Sequence, residues 1–283
     1  MCFVYIQKVF LFLPDSNYKR MKTMAPRNSQ QLIIALSLAT FLFVLNSCDS
    51  REKITKFEQL NGKEFAVPTG TIADQLVLST FPDAKFKYFN TVLDACLAVK
   101  GNKADAAAYD EPILRNIAAK NPGLKVLPEM ITTDTYGYAV RQGEKDLKEA
   151  IDQVLMEMRA NGEYGEMMKR WLPEKGEPKP MPRIETGDDG VLVFGTSATT
   201  EPFSFVRSQE IVGMDIEMAS RVAKKLNKEL KVVNMDFGAM IPALDAGKVD
   251  MIGALITITD ERAEKVLFSE PYYTGGIAAL VKE

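Results

Sequence analysis

Hydrophobic and polar positions along this chain follow two alternating periods, and the points where the period changes mark its elements. Leu147, Ile151, Val154, Leu155 and Met158 recur every three to four residues with charges between them. That stripe predicts an amphipathic helix ending near Asn161 and Gly162, with a shorter helix around Tyr164 to Trp171. Upstream, Glu64 to Val67 reads as a strand, Pro68 to Thr71 as a turn and Ala73 to Leu78 as an apolar helix, the opening of an α/β unit. Lys85 to Phe89 predicts a second strand, Val92, Cys96 and Val99 a helix stripe stopped by Gly101, and Asp105 to Tyr109 a third strand. Ile113, Leu114 and Ile117 place another helix before Asn121, Pro122 and Gly123 stop it. Val126 to Leu127 and Tyr136 to Val140 supply two more strands.

The second half has the same grammar. Val191 to Gly195 is a continuous apolar strand, followed by a loop from Thr196 to Phe203 and a polar hairpin turning at Arg207 to Glu210. Ile216, Ala219, Val222, Ala223 and Leu226 form a helix stripe, Leu230 to Val233 a strand, and Ile241 to Leu244 a short helix that tolerates Pro242 in its first turn. Gly247 stops that helix, and Val249 to Leu255 returns as a strand. Helix, glycine, short turn, aspartate and strand thus occur at Gly101 to Asp105 and again at Gly247 to Asp250, which hints at two related lobes. Between the halves, Pro173 to Pro182 carries four prolines and runs on without periodicity to Gly190, an extended connection.

The beginning of the chain reads as an address. Lys22 and Arg27 precede an uncharged run, Leu32 to Leu45, that ends in Leu45, Asn46, Ser47 and Cys48. A membrane span needs about 20 apolar residues, so a secretory signal fits this run better than an anchor helix. Residues 1–20 suit no signal, and Met21 or Met24 is the expected start. Asp49 to Thr55 is charged and expected as a tether, with the folded part beginning near Phe57.

Composition narrows the function. The 283 residues are 46% hydrophobic and 26% charged, with a net charge of -3, which suits two ordinary soluble domains. No basic face and no glycine-rich phosphate loop are visible, which argues against nucleic acid as a partner. The sequence contains no histidine, removing Ser-His and Cys-His nucleophilic pairs, most zinc sites and the usual general base. Cys2, Cys48 and Cys96 lie too far apart for a metal-ligand motif, and Cys96 falls on an apolar helix stripe. No enzyme activity, catalytic residue, metal or cofactor is expected.

What remains is recognition chemistry. Thr257, Ile258, Thr259, Asp260, Glu261 and Arg262 follow an apolar strand, and an arginine fork held there can grip a carboxylate through two parallel charge-assisted hydrogen bonds. Asp110 ends the small-residue strand far upstream and is the kind of group an ammonium requires. One cleft holding both would read an α-amino acid. Each residue has a plainer alternative: Arg262 as a surface ion pair with Glu261, Asp260 or Asp250, Asp110 as the cap of the helix through Ile113, and Phe237 as core.

These motifs also carry a resemblance. Val191 to Ser197, Glu201 to Phe205, Ile211 to Ile216, Met235 to Leu244, Gly247 to Asp250, Thr257 to Arg262 and Phe268 to Tyr273 resemble the first lobe of the polar amino-acid substrate-binding proteins of ABC transporters, solute-binding protein family 3. Leu60 to Lys63, Pro68 to Thr71, Asp110 to Pro112, Tyr136 to Val140 and Asn161 to Trp171 resemble that family's second lobe and closing helices. The order is reversed, so the resemblance implies a circular permutation of a two-lobe α/β periplasmic-binding-protein type II fold with the ligand cleft between lobes. It assigns residues 1–47 to a signal peptide, 48–56 to a lipid-anchored tether, 57–138 to the small lobe, 139–172 to helices closing on the large lobe, 173–190 to the linker and 191–283 to the large lobe.

Carried onto this sequence, the resemblance gives Arg262 and Thr257 to the α-carboxylate, with Thr71 closing over it beside Gly70, Asp110 to the α-ammonium, and Phe237 to one wall of the side-chain pocket. The departures are Thr200 where an aromatic is usual, Ser197 for an acid, Leu255 for a glycine and Pro68 for a frequent lysine-like residue. Cys48 resembles a lipidation site and Asp49 an inner-membrane retention mark, the outer membrane being the alternative. The implied protein is a monomeric, lipid-anchored, periplasm-facing receptor that hands a free α-amino acid to an ABC transporter permease. A sensory receptor, or a dehydratase-like enzyme on the same fold, is the rival reading.

Overall fold

The computed structural model describes residues 52–173 and 179–283. The signal-like run, Cys48 and the start of the expected tether, residues 49–51, lie outside these residues, as do residues 174–178 of the expected linker. After a 3-10 turn at Phe57–Leu60 come β1 (Glu64–Pro68), α1 (Ala73–Thr80), β2 (Lys85–Phe89), α2 (Val92–Lys100), β3 (Ala106–Asp110), α3 (Glu111–Lys120), β4 (Leu124–Met130), β5 (Asp134–Tyr136) and β6 (Ala139–Arg141). The long helix α4 (Lys145–Asn161) and α5 (Glu163–Trp171) follow. The second half contains β7 (Val191–Thr196), β8 (Thr199–Thr200), β9 (Ser204–Arg207), β10 (Glu210–Val212), α6 (Met214–Lys225), β11 (Glu229–Asn234), α7 (Met240–Asp245), β12 (Met251–Ile252), α8 (Asp260–Ala263), β13 (Val266–Phe268), β14 (Tyr273–Gly275) and β15 (Ile277–Lys282).

Two five-stranded sheets organise these elements into two α/β lobes. One has the order β2-β1-β3-β15-β4 and the other β11-β7-β12-β6-β13. In each, three parallel strands are followed by one antiparallel strand from the opposite half of the chain: β15 against β3 and β4, and β6 against β12 and β13. The chain crosses between lobes through the antiparallel pair β5 and β14, with Tyr136 opposite Tyr273. The repeated aspartates have one job in both lobes. Asp105 Oδ2 accepts from the backbone N–H of Glu64 at 2.9 Å, and Asp250 Oδ2 accepts from that of Val193 at 2.9 Å. Each ties the end of the loop after a helix to the sheet's first strand.

Three expectations are corrected here. The run Tyr136 to Val140 is two strands in different sheets, because Gly137 and Tyr138 form the crossing between lobes. The run Val249 to Leu255 has only two residues of strand, Met251–Ile252, because the backbone turns away and Leu255 adopts φ +55°. Ile277 to Val281, assigned with the large lobe, is instead an inner strand of the small-lobe sheet, its apolar side chains buried on both faces. Ile54 is also buried, in a cluster with Leu60, Phe65 and Val281, so ordered packing starts before Phe57.

The closing helices are held by a buried acid that the apolar stripe of α6 concealed. Glu217 is fully buried. It accepts from Arg170 Nη1 at 2.8 and 3.0 Å, from Trp171 Nε1 at 2.7 Å and from Arg221 Nη2 at 3.1 Å, while Arg221 also reaches Glu163. A carboxylate is tolerated there because its oxygens are filled by donors on two helices.

Candidate functional site

The short helix α8 places Arg262. Thr259 caps it, its hydroxyl accepting from the Arg262 backbone N–H at 3.3 Å. The guanidinium turns back under the preceding loop, donates from Nη1 to the Thr257 carbonyl at 3.0 Å and lies 5.6 Å from the Phe237 ring centroid. Arg262 is buried yet forms no ion pair among the described residues. Of the acids that could have neutralised it, Glu261 pairs with Lys265 at 2.9 Å and Asp250 with Arg141 at 3.4 Å, and Asp260 forms no ion pair with it. Burial lowers the Arg262 pKa, with Tyr109 and Asp110 opposing that shift. A buried guanidinium without a carboxylate is costly unless something else supplies one.

Asp110 ends β3 on the other lobe. It stands at the cap position of α3 but makes no capping hydrogen bond; its Oδ1 instead accepts from the Tyr136 hydroxyl at 2.5 Å. Burial pushes its pKa up to about 7, and Asp134 raises it further while Tyr136 and Arg262 hold it down. Asp110 and Arg262 line one small pocket of about 10 Å³, together with Thr71, Phe237, Leu255 and Thr257. The two lobes therefore contribute one acid and one base to a single pocket near the carboxyl ends of their strands, where open α/β sheets place ligands.

The remaining sequence-selected residues border an adjoining cleft of about 980 Å³, which includes Gly70, Ser197 and Thr200 and shares Thr71, Tyr109 and Phe237 with the smaller pocket. The Thr71 hydroxyl donates to the Pro68 carbonyl at 2.9 Å, which fixes the turn ahead of α1. Gly70 has φ +79°, and a Cβ there would come within 3.0 Å of the Gly238 Cα on the other lobe, so a side chain at this position would press the lobes apart. Ser197 and Thr200 are buried, and the Thr200 hydroxyl donates to the Ser197 carbonyl at 3.0 Å. Phe237 is half-buried and faces cavity rather than core alone.

Leu255 is the strained member of the site. A bulky residue in the left-handed region costs about 1–2 kcal/mol, which explains why the resemblance carries a glycine at this position. Its side chain is buried in the core cluster, and that burial offsets the strain. Sequence reasoning missed Tyr109, Ile72 and Ile277, which also line the smaller cavity. Tyr109 precedes Asp110 at a strand end, where both faces of the strand open on the cleft, and that adjacency was the available signal. Among the described residues no group of His, Cys, Asp and Glu could hold a metal ion.

With this geometry in place, known proteins add a family. Residues 192–283 match the profile of the bacterial extracellular solute-binding proteins, family 3. Over those residues, about a third of the chain, it is similar to that family. The arginine-binding extracellular protein ArtP of Bacillus subtilis is 43% identical over 83 residues, covering 29% of this chain and 32% of ArtP. The L-cystine-binding protein TcyJ of Escherichia coli K12 is 37% identical over 95 residues, covering 33% of this chain and 36% of TcyJ. A solved structure, the arginine-bound form of domain 1 from TmArgBP, is 40% identical, covers 33% of this chain and 80% of that one, and has a TM-score of 0.29. The chain spans about a third of the length of these two curated relatives. The family 3 segment contains Arg262, Thr257, Leu255, Phe237, Thr200 and Ser197; Asp110, Gly70 and Thr71 lie outside it. No helix among the described residues is long and apolar enough to cross a membrane.

Proposed function

We propose that this protein is an extracytoplasmic receptor that closes two lobes on a free α-amino acid and delivers it to an ABC transporter permease. The observation that carries the reading is the buried Arg262, which has no acidic partner among the described residues and shares its cavity with Asp110 from the opposite lobe. A zwitterion bridges them: its carboxylate meets Arg262 and Thr257, and its ammonium meets Asp110. Because each lobe holds one end, ligand binding favours the closed arrangement, and no bond is made or broken. The similarity to proteins named for binding arginine and cystine supports an amino acid as ligand. It also supports a receptor rather than an enzyme.

The chain order supports a circular permutation. The family 3 segment occupies the last third of the chain, while residues 54–136 build most of the other lobe. Relinking of this kind is tolerated where connections run over the surface. The run ending at Cys48 supports a lipid anchor on the outer face of the inner membrane, and the protein is expected to act as a monomer.

A thermal-shift screen of the common amino acids, followed by calorimetry on the best of them, tests the reading, since a ligand of the native state raises its melting temperature. No shift with any α-amino acid would reject it. Asp110 adds a pH signature. With its pKa near 7 in the free protein, the carboxyl is mainly protonated at pH 6, and an arriving ammonium must expel that proton. Affinity is therefore expected to fall about tenfold per pH unit below 7 and to level off above about 8. Asp110→Asn should bind more weakly and flatten the profile; a wild-type affinity constant from pH 5 to 8 would contradict the assignment.

A further inference from the structure

Outside the charged pocket, a polar contact joins the two lobes. Lys120, the last residue of α3 on the small lobe, donates from Nζ to Glu201 Oε2 at 2.7 Å. Glu201 lies in the turn between β8 and β9 on the large lobe. Asn116, one helical turn before Lys120, donates from Nδ2 to the Glu201 carbonyl at 3.5 Å. Among the described residues neither Lys120 nor Glu201 forms any other ion pair. Both partners stand one rigid step from the residues that meet the ligand. Because α3 begins directly after Asp110, its ten residues form a rod of about 15 Å with the ammonium-binding acid at one end and Lys120 at the other. Glu201 follows Thr200, a buried residue of the cleft wall.

The glycine contact elsewhere in the same wall is of a different kind. Gly70 and Gly238 approach so closely that a Cβ on Gly70 would lie 3.0 Å from the Gly238 Cα, which limits how far the lobes close but does not draw them together. The ion pair does draw them together. Between partly exposed side chains it adds little to folding, since both charges are well hydrated when apart. The same small energy matters more to a protein whose lobes are joined by the crossing segments β5 and β14. Rotation about those segments separates α3 from the turn at Glu201 and leaves each lobe's fold intact. An interaction present in the closed arrangement and absent from the open one appears in full in the apparent affinity.

Resting on the receptor reading, we propose that Lys120 and Glu201 are positioning residues for ligand capture, a clasp outside the ligand pocket that holds the lobes closed and slows release. The pair touches no part of a ligand bridging Asp110 and Arg262, so it sets how long an amino acid stays bound and not which one is chosen.

The test takes the tightest binder among the common L-amino acids and measures its affinity for the full chain by calorimetry and its release by a chase with unlabelled amino acid. Glu201→Gln keeps the carbonyl that Asn116 meets and is expected to weaken binding about two- to fivefold, through faster release. Lys120→Glu sets two acids against each other and should weaken it further. Combining Lys120→Glu with Glu201→Lys should return affinity to within about twofold of wild type, a recovery that residues serving only their own lobes would not show. Raising the salt from about 0.1 to 1 M shortens the screening length from about 10 to 3 Å, so it should weaken binding by wild type and spare Glu201→Gln. Unchanged affinity and release in both single variants, or losses that the charge exchange does not restore, overturn the clasp. If Arg262→Ala still abolishes binding in that case, the receptor reading stands without it. If none of the common amino acids binds, the receptor reading fails and the clasp falls with it.

Discussion

Arg262→Ala is expected to abolish measurable binding of the best amino acid from the screen. The guanidinium is buried, is oriented by the Thr257 carbonyl, and has no carboxylate within ion-pair distance among the described residues. Its charge is thus available for a ligand carboxylate that must itself leave water. Removing one partner of a desolvated, hydrogen-bonded charge pair costs about 2–5 kcal/mol, a loss on the order of thirty- to several-thousand-fold in affinity. The unliganded variant should be no less stable than wild type by more than about 1 kcal/mol, because deleting an uncompensated buried charge relieves desolvation while forfeiting one hydrogen bond. Loss of binding with intact folding separates a ligand-reading residue from a structural one. Unchanged affinity by calorimetry would remove Arg262 from the site.

Glu217→Ala should have the largest effect on stability. The carboxylate draws Arg170 and Trp171 of α5 and Arg221 of α6 into one network, and it has no exposure to solvent. Its removal leaves two half-buried guanidinium groups and a buried indole N–H without their acceptor. Breaking such a network by removing one member costs about 3–5 kcal/mol. Urea denaturation should therefore show a loss of unfolding free energy of that size, and calorimetry should show little change in ligand affinity where enough protein remains folded. An unfolding free energy within about 0.5 kcal/mol of wild type would mean that the closing helices are held by apolar packing alone.

Much of this architecture was legible in the sequence because its elements are periodic and punctuated. The stripe from Leu147 to Met158 became α4, Gly101 and Gly247 ended their helices, and Lys85 to Phe89 formed the expected strand. The errors fall where the chain changes lobe. Tyr136 to Val140 is one apolar run in sequence but two strands in space, and periodicity cannot reveal that a glycine between them marks a crossing. Ile277 to Val281 follows the same rule: an apolar run states that a strand is buried without stating in which sheet. Position 255 was legible only as a departure from a usual glycine, and its φ of +55° supplies the reason. Glu217 was hidden because its partners on α5 lie about fifty residues away in sequence, and no local pattern announces a long-range ion network. Asp110 was picked out because it ends a strand, and Arg262 because its hexapeptide follows one through a loop; the structure places both on one pocket.

The central claim is that one zwitterion is gripped at opposite ends by Arg262 and Asp110. Calorimetry can test it by pairing the best-binding amino acid with its methyl ester and with its analogue lacking the α-amino group, on wild type, Arg262→Ala and Asp110→Asn. If the claim holds, esterification weakens binding to wild type but costs little further in Arg262→Ala, and removal of the amino group costs little further in Asp110→Asn, since each pair loses the same interaction only once. Fully additive losses in both pairings would show that neither residue touches the group assigned to it.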